Sequence, residues 1–330
     1  MTDSSSNSSK PRFELSSLWM GPGRIVIVLA LIVLAFALMR PDTFMSFANI
    51  RNIGMAGAIL LVMAVGATFV LVTAGVDLSV GAVLVFSGVI AAKVMGALGG
   101  QGWDVAAIGL VTAIISGTAW GLLNGVLVAK AKVPALVVTL GTMGAAQGLS
   151  WIIAGEDLRD VPYELGDNIG VGSFGGVPML VIIAVVVTII GGILLTATRF
   201  GRHTLAIGSN PLAAKEMGIN VDLHLIKVYA LAGMLAGIAG ILSLARYGST
   251  TIGGHATDNL QVIAAVVIGG TSLFGGRGSV FATAVGVLIP ATLASGLIMV
   301  GLNTFWRDVM VGIVLVAAVY LDQSGRRLTR

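Results

Sequence analysis

The feature that most constrains this chain is a series of long apolar runs that contain no charged side chain. Residues 25–39, 54–73 and 177–198 are three of them. An α-helix needs about 20 apolar residues to cross the hydrocarbon core of a bilayer. The runs have that order of length, so they predict membrane-spanning helices.

The charge content excludes most other classes of protein. Only 10% of the 330 residues are charged, whereas a soluble domain carries about 25%. A soluble enzyme, a nucleic-acid-binding protein and a disordered chain are therefore disfavoured. A β-barrel is disfavoured as well, because its strands alternate apolar and polar residues. The fold class predicted is all-α: a polytopic transmembrane helical bundle.

The number of spans follows from hydropathy over windows of about 19 residues. The segment 259–274 is short for a complete span and is expected to form a broken or tilted helix. The ten predicted spans are 25–39, 54–73, 80–98, 105–129, 133–154, 177–198, 225–245, 259–274, 279–300 and 305–321.

The positions of Lys and Arg predict the orientation. With ten spans and the N-terminus inside, most of the 19 basic residues fall on the cytoplasmic side, as the positive-inside rule requires. Both termini are then cytoplasmic. The organisation expected is a disordered tail at 1–23, a membrane-spanning domain at 24–322 and a basic tail at 323–330.

The longest cytoplasmic segment, residues 199–223, carries the signals of a short helix from Pro211 to Met217. Ser209 or Asn210 suits the N-cap, proline suits the first turn, and Gly218 suits a left-handed stop. The helix could be a connector packed on its own domain or a docking element for a cytoplasmic partner; its apolar face is formed by Ala213, Ala214 and Met217. The candidate docking residues are Ser209, Asn210, Pro211, Leu212, Ala213, Ala214, Lys215, Glu216, Met217 and Gly218.

Polar residues inside the apolar segments are the candidates for a translocation path. Asp77 has two interpretations: an N-cap of the following helix, or a functional intramembrane carboxylate. Most of the threonine and serine hydroxyls are expected to bond back to their own helix. The path candidates are Thr68, Thr73, Asp77, Asn124, Thr139, Thr142, Gln147, Asn259, Gln261, Thr292 and Ser295.

No motif predicts catalysis, a metal or a cofactor. The glycine-rich stretch 268–279 lacks the Gly-Lys-Ser/Thr ending of a phosphate-binding loop and is expected to be a turn between two close-packed helices. The three histidines lack zinc-type spacing, there is no cysteine, and no Ser-His-Asp set shares a helix face.

Four motifs in order carry a family resemblance. They are VTAGVDLSVGAVL (72–84), NGVLVAKAKVPALVVTLGTM (124–143), GRHTLAIGSNPLAAKEMGINV (201–221) and IAAVVIGGTSLFGGRGSV (263–280). Together they resemble the permease subunits of bacterial ATP-binding-cassette importers for ribose, xylose, galactose and related sugars.

The resemblance implies that residues 24–322 are a permease domain in a bacterial inner membrane and that the chain works in an assembly. A second permease copy or a close homologue, a cytoplasmic ATP-binding-cassette ATPase that binds ATP and Mg, and a periplasmic sugar-binding protein are the expected partners. The segment 209–219 would be the helix that couples to the ATPase. The family also implies about ten spans in a five-plus-five inverted repeat, with spans two to five matching spans seven to ten.

Two departures from the family bear on the substrate. Asn259-Leu260-Gln261 replaces a commonly acidic pair, and Ser295 replaces a common asparagine. Two alternatives stay open on sequence grounds: an ion-coupled secondary transporter that uses Asp77, and an importer of the same type for branched-chain amino acids or nucleosides.

Overall fold

The structure is a computed structural model that describes residues 23–155, 161–249, 252–255 and 257–303. Beyond these it describes 305–306, 308–310, 312–313 and 316. The tail expected at 1–23, except Gly23, and the basic tail at 323–330 lie outside the described residues.

The described chain is a bundle of α-helices. Seven of these helices are long and apolar enough to cross a membrane: α3, α4, α5, α6, α7, α10 and α12. In chain order the helices are α1 (Gly23–Met39), α2 (Pro41–Phe44), α3 (Phe47–Val72), α4 (Val80–Ala97), α5 (Trp103–Ala129), α6 (Ala135–Ala154), α7 (Met179–Ala197), α8 (Arg199–Ser209), α9 (Pro211–Glu216), α10 (Val221–Tyr247), α11 (Asp258–Ile268) and α12 (Val280–Met299).

The helices agree with the hydropathy profile for the first nine predicted spans. Each coincides with an apolar helix, and α1 and α11 are shorter, at 17 and 11 residues. The predicted segment 259–274 is a helix only to Ile268, after which the chain turns. The segment 305–321 is described at scattered positions only, so the count of ten spans stays a prediction.

Strand structure among the described residues is confined to one small hairpin between α6 and α7. Strand β1 (Ser173–Phe174) pairs antiparallel with β2 (Val177–Pro178), with Ser173 opposite Pro178. Gly175 and Gly176 both have positive φ, as a tight two-residue hairpin requires. A short π-helix, Leu165–Gly170, precedes the hairpin.

Helix α3 lies at the centre of the bundle and packs against α7, α10, α11 and α12. It is apolar around its whole circumference, which is typical of a helix surrounded by other helices. Phe69 and Met63 of α3 and Tyr229 of α10 are fully buried there.

The closest helix pair is α5 with α10. Gly117 and Gly121 of α5 face Gly233 and Gly237 of α10, each pair spaced by one helical turn. A methyl group at Gly233 would overlap the Gly117 carbonyl oxygen, and one at Gly237 would overlap the Ala113 carbonyl oxygen. Small residues allow such backbone contact between membrane helices, so the high glycine content, 46 residues, has a packing role.

This contact makes a testable prediction. Gly233→Ala should lower the free energy of unfolding by about 1–3 kcal/mol, because the added methyl overpacks the interface, although alanine favours a helix by ~1 kcal/mol. The measurement is the thermal midpoint of the purified chain in detergent. Gly57→Ala in α3 is the matched control, since its methyl would meet only ordinary contacts, the nearest 3.7 Å away; equal midpoints for the two variants would contradict the packing argument.

Candidate functional site

Between α3 and α4 the chain is not helical, and this α3–α4 connection (residues 73–79) contains the only carboxylate of the path candidates. The Oδ1 atom of Asp77 accepts hydrogen bonds from the Ser79 backbone N–H at 2.8 Å and from the Ser79 hydroxyl at 2.6 Å. Asn124 of α5 donates from Nδ2 to the same hydroxyl at 2.9 Å. Asp77 is 2% exposed. The carboxylate therefore fixes the connection against α5.

Asp77 does not cap α4. The N-cap is Ser79, which makes no side-chain capping bond, and Asp77 lies two residues earlier in an Asx-type turn. The cap interpretation of Asp77 is therefore wrong. Asp77 Oδ1 accepts from the N–H of the N-cap residue itself, Ser79. A capping side chain would instead accept from the second or third N–H of the helix.

A second connection, the α10–α11 connection, lies between Tyr247 and Asp258, and the residues of it that the structure describes are not helical. Its His255 shares a hydrogen bond with Asp258 through Nδ1 (2.6 Å to Oδ2) and with Ser243 through Nε2 (2.8 Å to Oγ). All three side chains are buried. The hydrogen-bonded chain ties the connection to the last turns of α10 and the first turn of α11.

Because the histidines lack zinc-type spacing, the sequence predicts no role for His255. Ser243 lies 12 positions before it, on the other side of a helix end. The two residues do not lie on one helix face, so no helical periodicity in the sequence predicts their contact.

The two connections meet inside the bundle. Asn259 of α11 donates from Nδ2 to the carbonyl oxygen of Leu78 at 3.0 Å. Gly81 packs so closely that a Cβ there would lie 3.0 Å from the His255 carbonyl oxygen. The N-terminal ends of α4 and α11 are thus adjacent, an arrangement that transporters use to build binding sites from discontinuous helices.

Helix α6 covers both connections with one stripe of side chains. Thr139 donates to a carbonyl of the α3–α4 connection at 3.4 Å, and Gln147 donates to the Ile252 carbonyl of the α10–α11 connection at 3.0 Å. Between them, the Met143 sulfur accepts from Asn259 at 3.5 Å. These three positions of α6 are spaced by four residues, so they share one face.

The contacts divide the predicted path residues into three groups, and Thr73, although it lies on the α3–α4 connection, belongs with the hydroxyls that bond back to their own chain. Asp77, Asn124, Thr139, Gln147, Asn259 and Gln261 lie on or beside the two connections. The hydroxyls of Thr68, Thr73 and Thr142 bond back to their own chain. Ser295 donates to Asn49 of α3, and Thr292 is buried within α12.

Helix α9 confirms the sequence signals for a short helix in segment 199–223. Asn210 is the N-cap and accepts from the Ala213 N–H at 3.0 Å. Pro211 begins the helix, Glu216 ends it, and Gly218 has φ +82°. The helix is one residue shorter than predicted.

The predicted apolar face of this helix needs one correction. Ala214 is completely buried against the bundle, so it is not part of an open docking face. The predicted Met217 is 69% exposed, and Leu212, which is 76% exposed, supplies the second apolar group in place of Ala214.

Helix α8 was not predicted, and it joins α9 to the α3–α4 connection. Its last turn contains Gly208, where a Cβ would overlap the Val72 carbonyl oxygen. The same carbonyl accepts a hydrogen bond from the Gly276 N–H at 2.9 Å. The ends of α3 and α8 and the glycine-rich turn after α11 therefore form one backbone junction immediately before α9.

No metal site is evident within the described part of the chain, where no group of three or more His, Asp or Glu could hold an ion.

Comparison with known proteins gives one family and a consistent set of relatives. A family model described as "Branched-chain amino acid transport system / permease component" matches residues 49–319. The D-allose transport system permease protein of Escherichia coli (strain K12) is 34% identical over 96% of this chain and 95% of its own. The ribose import permease protein of Bacillus subtilis (strain 168) is 37% identical over 92% of each chain.

A third relative, the galactose/methyl galactoside import permease protein of Salmonella typhimurium, is 32% identical over 92% of this chain and 94% of its own. No solved structure matches the chain.

The bonds of Asp77 make a second prediction. Asp77→Ala leaves the Ser79 N–H and hydroxyl without their acceptor, which should cost about 1–3 kcal/mol of stability. Asp77→Asn keeps an oxygen in place and should unfold near the wild-type temperature. Tryptophan fluorescence during heating measures both. If the asparagine variant is as unstable as the alanine variant, the negative charge and not the hydrogen bonding is what the fold requires.

Proposed function

The chain belongs to the family of branched-chain amino acid transport system permease components, and we propose that it is the membrane-spanning permease subunit of an ATP-binding-cassette importer for a monosaccharide or related polyol. The observation that carries the proposal is the pair of helices α4 and α11, whose ends meet inside the bundle beside Asn124 and Asn259, while the nearby carboxylates of Asp77 and Asp258 bond to Ser79 and His255. Discontinuous helices build substrate sites in transporters, and uncharged amide groups can both donate to and accept from a hydroxyl-rich cargo.

The family description points to amino acids, whereas the relatives point to sugars. The allose, ribose and galactose permeases named above match more than nine-tenths of this chain. At the meeting point, Asn124 and Asn259 carry no charge and bond to a hydroxyl and a carbonyl. The carboxylates of Asp77 and Asp258 beside them bond to Ser79 and His255, and no Lys or Arg bonds to them among the described residues. A zwitterionic amino acid would favour fixed countercharges, so the sugar assignment is preferred to branched-chain amino acids or nucleosides.

We assign α9 to the contact with the cytoplasmic ATPase, which would bind the ATP and Mg. Leu212 and Met217 present apolar groups, and Lys215 and Glu216 are exposed beside them. Motion of α9 would reach the translocation path through the junction of Gly208, Val72 and Gly276. The backbone atoms of this junction are in direct contact, so α8 and α3 cannot easily slide past each other.

The remaining partners and the topology are part of the same proposal. Helix α6 turns Gly141, Gly144 and Gly148 outward with open space beside them, which suits close approach of a second permease copy. A periplasmic binding protein would deliver the sugar on the side opposite α9, with both termini cytoplasmic. The meeting of α4 with α11 supports the five-plus-five inverted repeat.

Purification of the tagged chain from its native membrane in mild detergent tests the assignment. An ATPase identified by mass spectrometry, together with sugar uptake that stops when ATP is depleted, is the expected result. The buried carboxylate of Asp77 favours the alternative of an ion-coupled secondary transporter. That alternative requires uptake that survives ATP depletion and is abolished by an ionophore.

The exposed side of α9 makes a third prediction. Leu212→Asp and Lys215→Glu should each lower ATP-driven uptake about tenfold, corresponding to a loss of ~1.4 kcal/mol at the ATPase contact. The amount of permease in the membrane should stay constant, because both side chains are exposed.

Uptake of radiolabelled sugar, normalised to membrane-inserted protein, is the measurement for these variants. Lys93→Glu, an exposed position near the far end of α4, is the matched charge-reversal control. Wild-type uptake by both α9 variants would contradict the docking role. Ala214→Asp is unsuitable, since burial of a carboxylate at that fully buried position would destabilise the fold.

A further inference from the structure

A cavity of about 100 Å³ lies between α3, the end of α10, the start of α11 and α12. One water needs roughly 10–15 Å³ of such space, so the cavity is large enough for a small ligand. Its walls combine apolar groups of α3 and α12 with the side chains of Tyr247, His255, Asp258 and Gln261. Asp258 in its wall directly precedes Asn259, the residue at which the two connections meet.

The polar wall of this cavity is held in a fixed geometry. Asp258 is anchored through Oδ2 to His255 at 2.6 Å, and His255 is anchored to Ser243 at 2.8 Å. Among the described residues, the other oxygen, Oδ1, has one hydrogen-bond contact, a long one of 3.5 Å from the Gln261 amide. Asp258 Oδ1 is therefore a positioned acceptor for a ligand O–H, and the Gln261 carboxamide can both donate to and accept from a neighbouring hydroxyl.

The chemistry of the walls matches a polyol better than a charged ligand. The one carboxylate is already paired with His255, and among the described lining residues no Lys or Arg is present to pair with a ligand anion. Arg246 lies over one face of the Tyr247 ring, 5.1 Å from its centroid. The other face of the ring can pack against a sugar, because its negative quadrupole attracts the weakly positive C–H groups of a sugar ring. Alanines at positions 291 and 294 leave room on the opposite wall.

We propose that this cavity is a subsite for the sugar on the translocation path, in which Asp258 and Gln261 hydrogen-bond to hydroxyl groups and Tyr247 packs against the ring. His255 and Ser243 position Asp258 without touching the sugar. The inference rests on the proposed function and adds to it the residues that distinguish one sugar from another.

The test uses the complete importer, with its ATPase and binding protein, and D-ribose, D-allose, D-galactose and D-fructose as probes. For the sugar that the wild type takes up, Asp258→Asn and Gln261→Ala should each reduce uptake about tenfold. Asp104→Asn, an exposed carboxylate at the start of α5, is the matched control and should transport normally. Thermal midpoints and the amount of co-purified ATPase should stay within the wild-type range.

Deoxy analogues of the same sugar separate contact from a structural role. Wild type should transport the analogue that lacks the contacting hydroxyl about tenfold more slowly than the parent sugar. Gln261→Ala removes the hydrogen-bonding carboxamide, so it should transport the parent sugar and the analogue that lacks the Gln261-bound hydroxyl at equal rates. Unequal rates that persist in this variant for every deoxy position would overturn the contact of Gln261 with the sugar.

Cysteine labelling gives a readout that does not depend on transport. The chain has no cysteine, so Ala294→Cys places a single thiol on the cavity wall. The transported sugar should slow its modification by a small thiol reagent at least fivefold, whereas Ala97→Cys at the exposed end of α4 should react at an unchanged rate.

Different results would overturn the subsite and the sugar-import function. Normal uptake by Asp258→Asn and Gln261→Ala, with no protection of Ala294→Cys, would overturn the subsite and leave the sugar importer intact. Uptake of none of the four sugars by the wild type would overturn the sugar function and the subsite together.

Discussion

The direct backbone contact of α5 with α10 is the interaction on which the rest of the bundle depends. Gly117 and Gly121 lie against Gly233 and Gly237 with no room for a methyl group. In lipid, helix association gains little from the hydrophobic effect and relies on close packing. This contact brings Asn124, one turn beyond Gly121, within reach of Ser79. The glycine contact therefore positions Asn124, whose side chain bonds to the α3–α4 connection.

The second constraint is that non-helical backbone inside a membrane protein must satisfy its hydrogen bonds within the protein. The α3–α4 connection does so through Asp77 and Asn124, and the α10–α11 connection is tied down through His255. Helix α6 adds bonds to both connections from a single face. The same residues that make a broken helix tolerable therefore surround the proposed path, so the path and the stability of the fold share their side chains.

Much of the local structure could be predicted from sequence, because its causes are local. Hydropathy located the first nine apolar helices, and Asn210, Pro211 and Gly218 marked the ends of α9. The error at Ala214 has a different origin: whether a small residue faces the bundle or solvent depends on where the helix docks. Helix α8 was missed because its apolar content is too low to stand out beside membrane spans, although Thr198 caps it through the Gly201 N–H.

The sequence by itself determined that this chain is an all-α membrane protein, which segments are helical and where a short capped helix interrupts them. Tertiary structure alone decided which polar residues face one another. Asn259 and the Leu78 carbonyl are 181 positions apart, and Ser243 reaches His255 across a helix end. The physical reason is that these helices are apolar on all sides, so hydropathy sets their length but leaves their rotation free. The rotation of each helix about its axis is fixed only when glycine contacts and buried hydrogen bonds to distant segments form together.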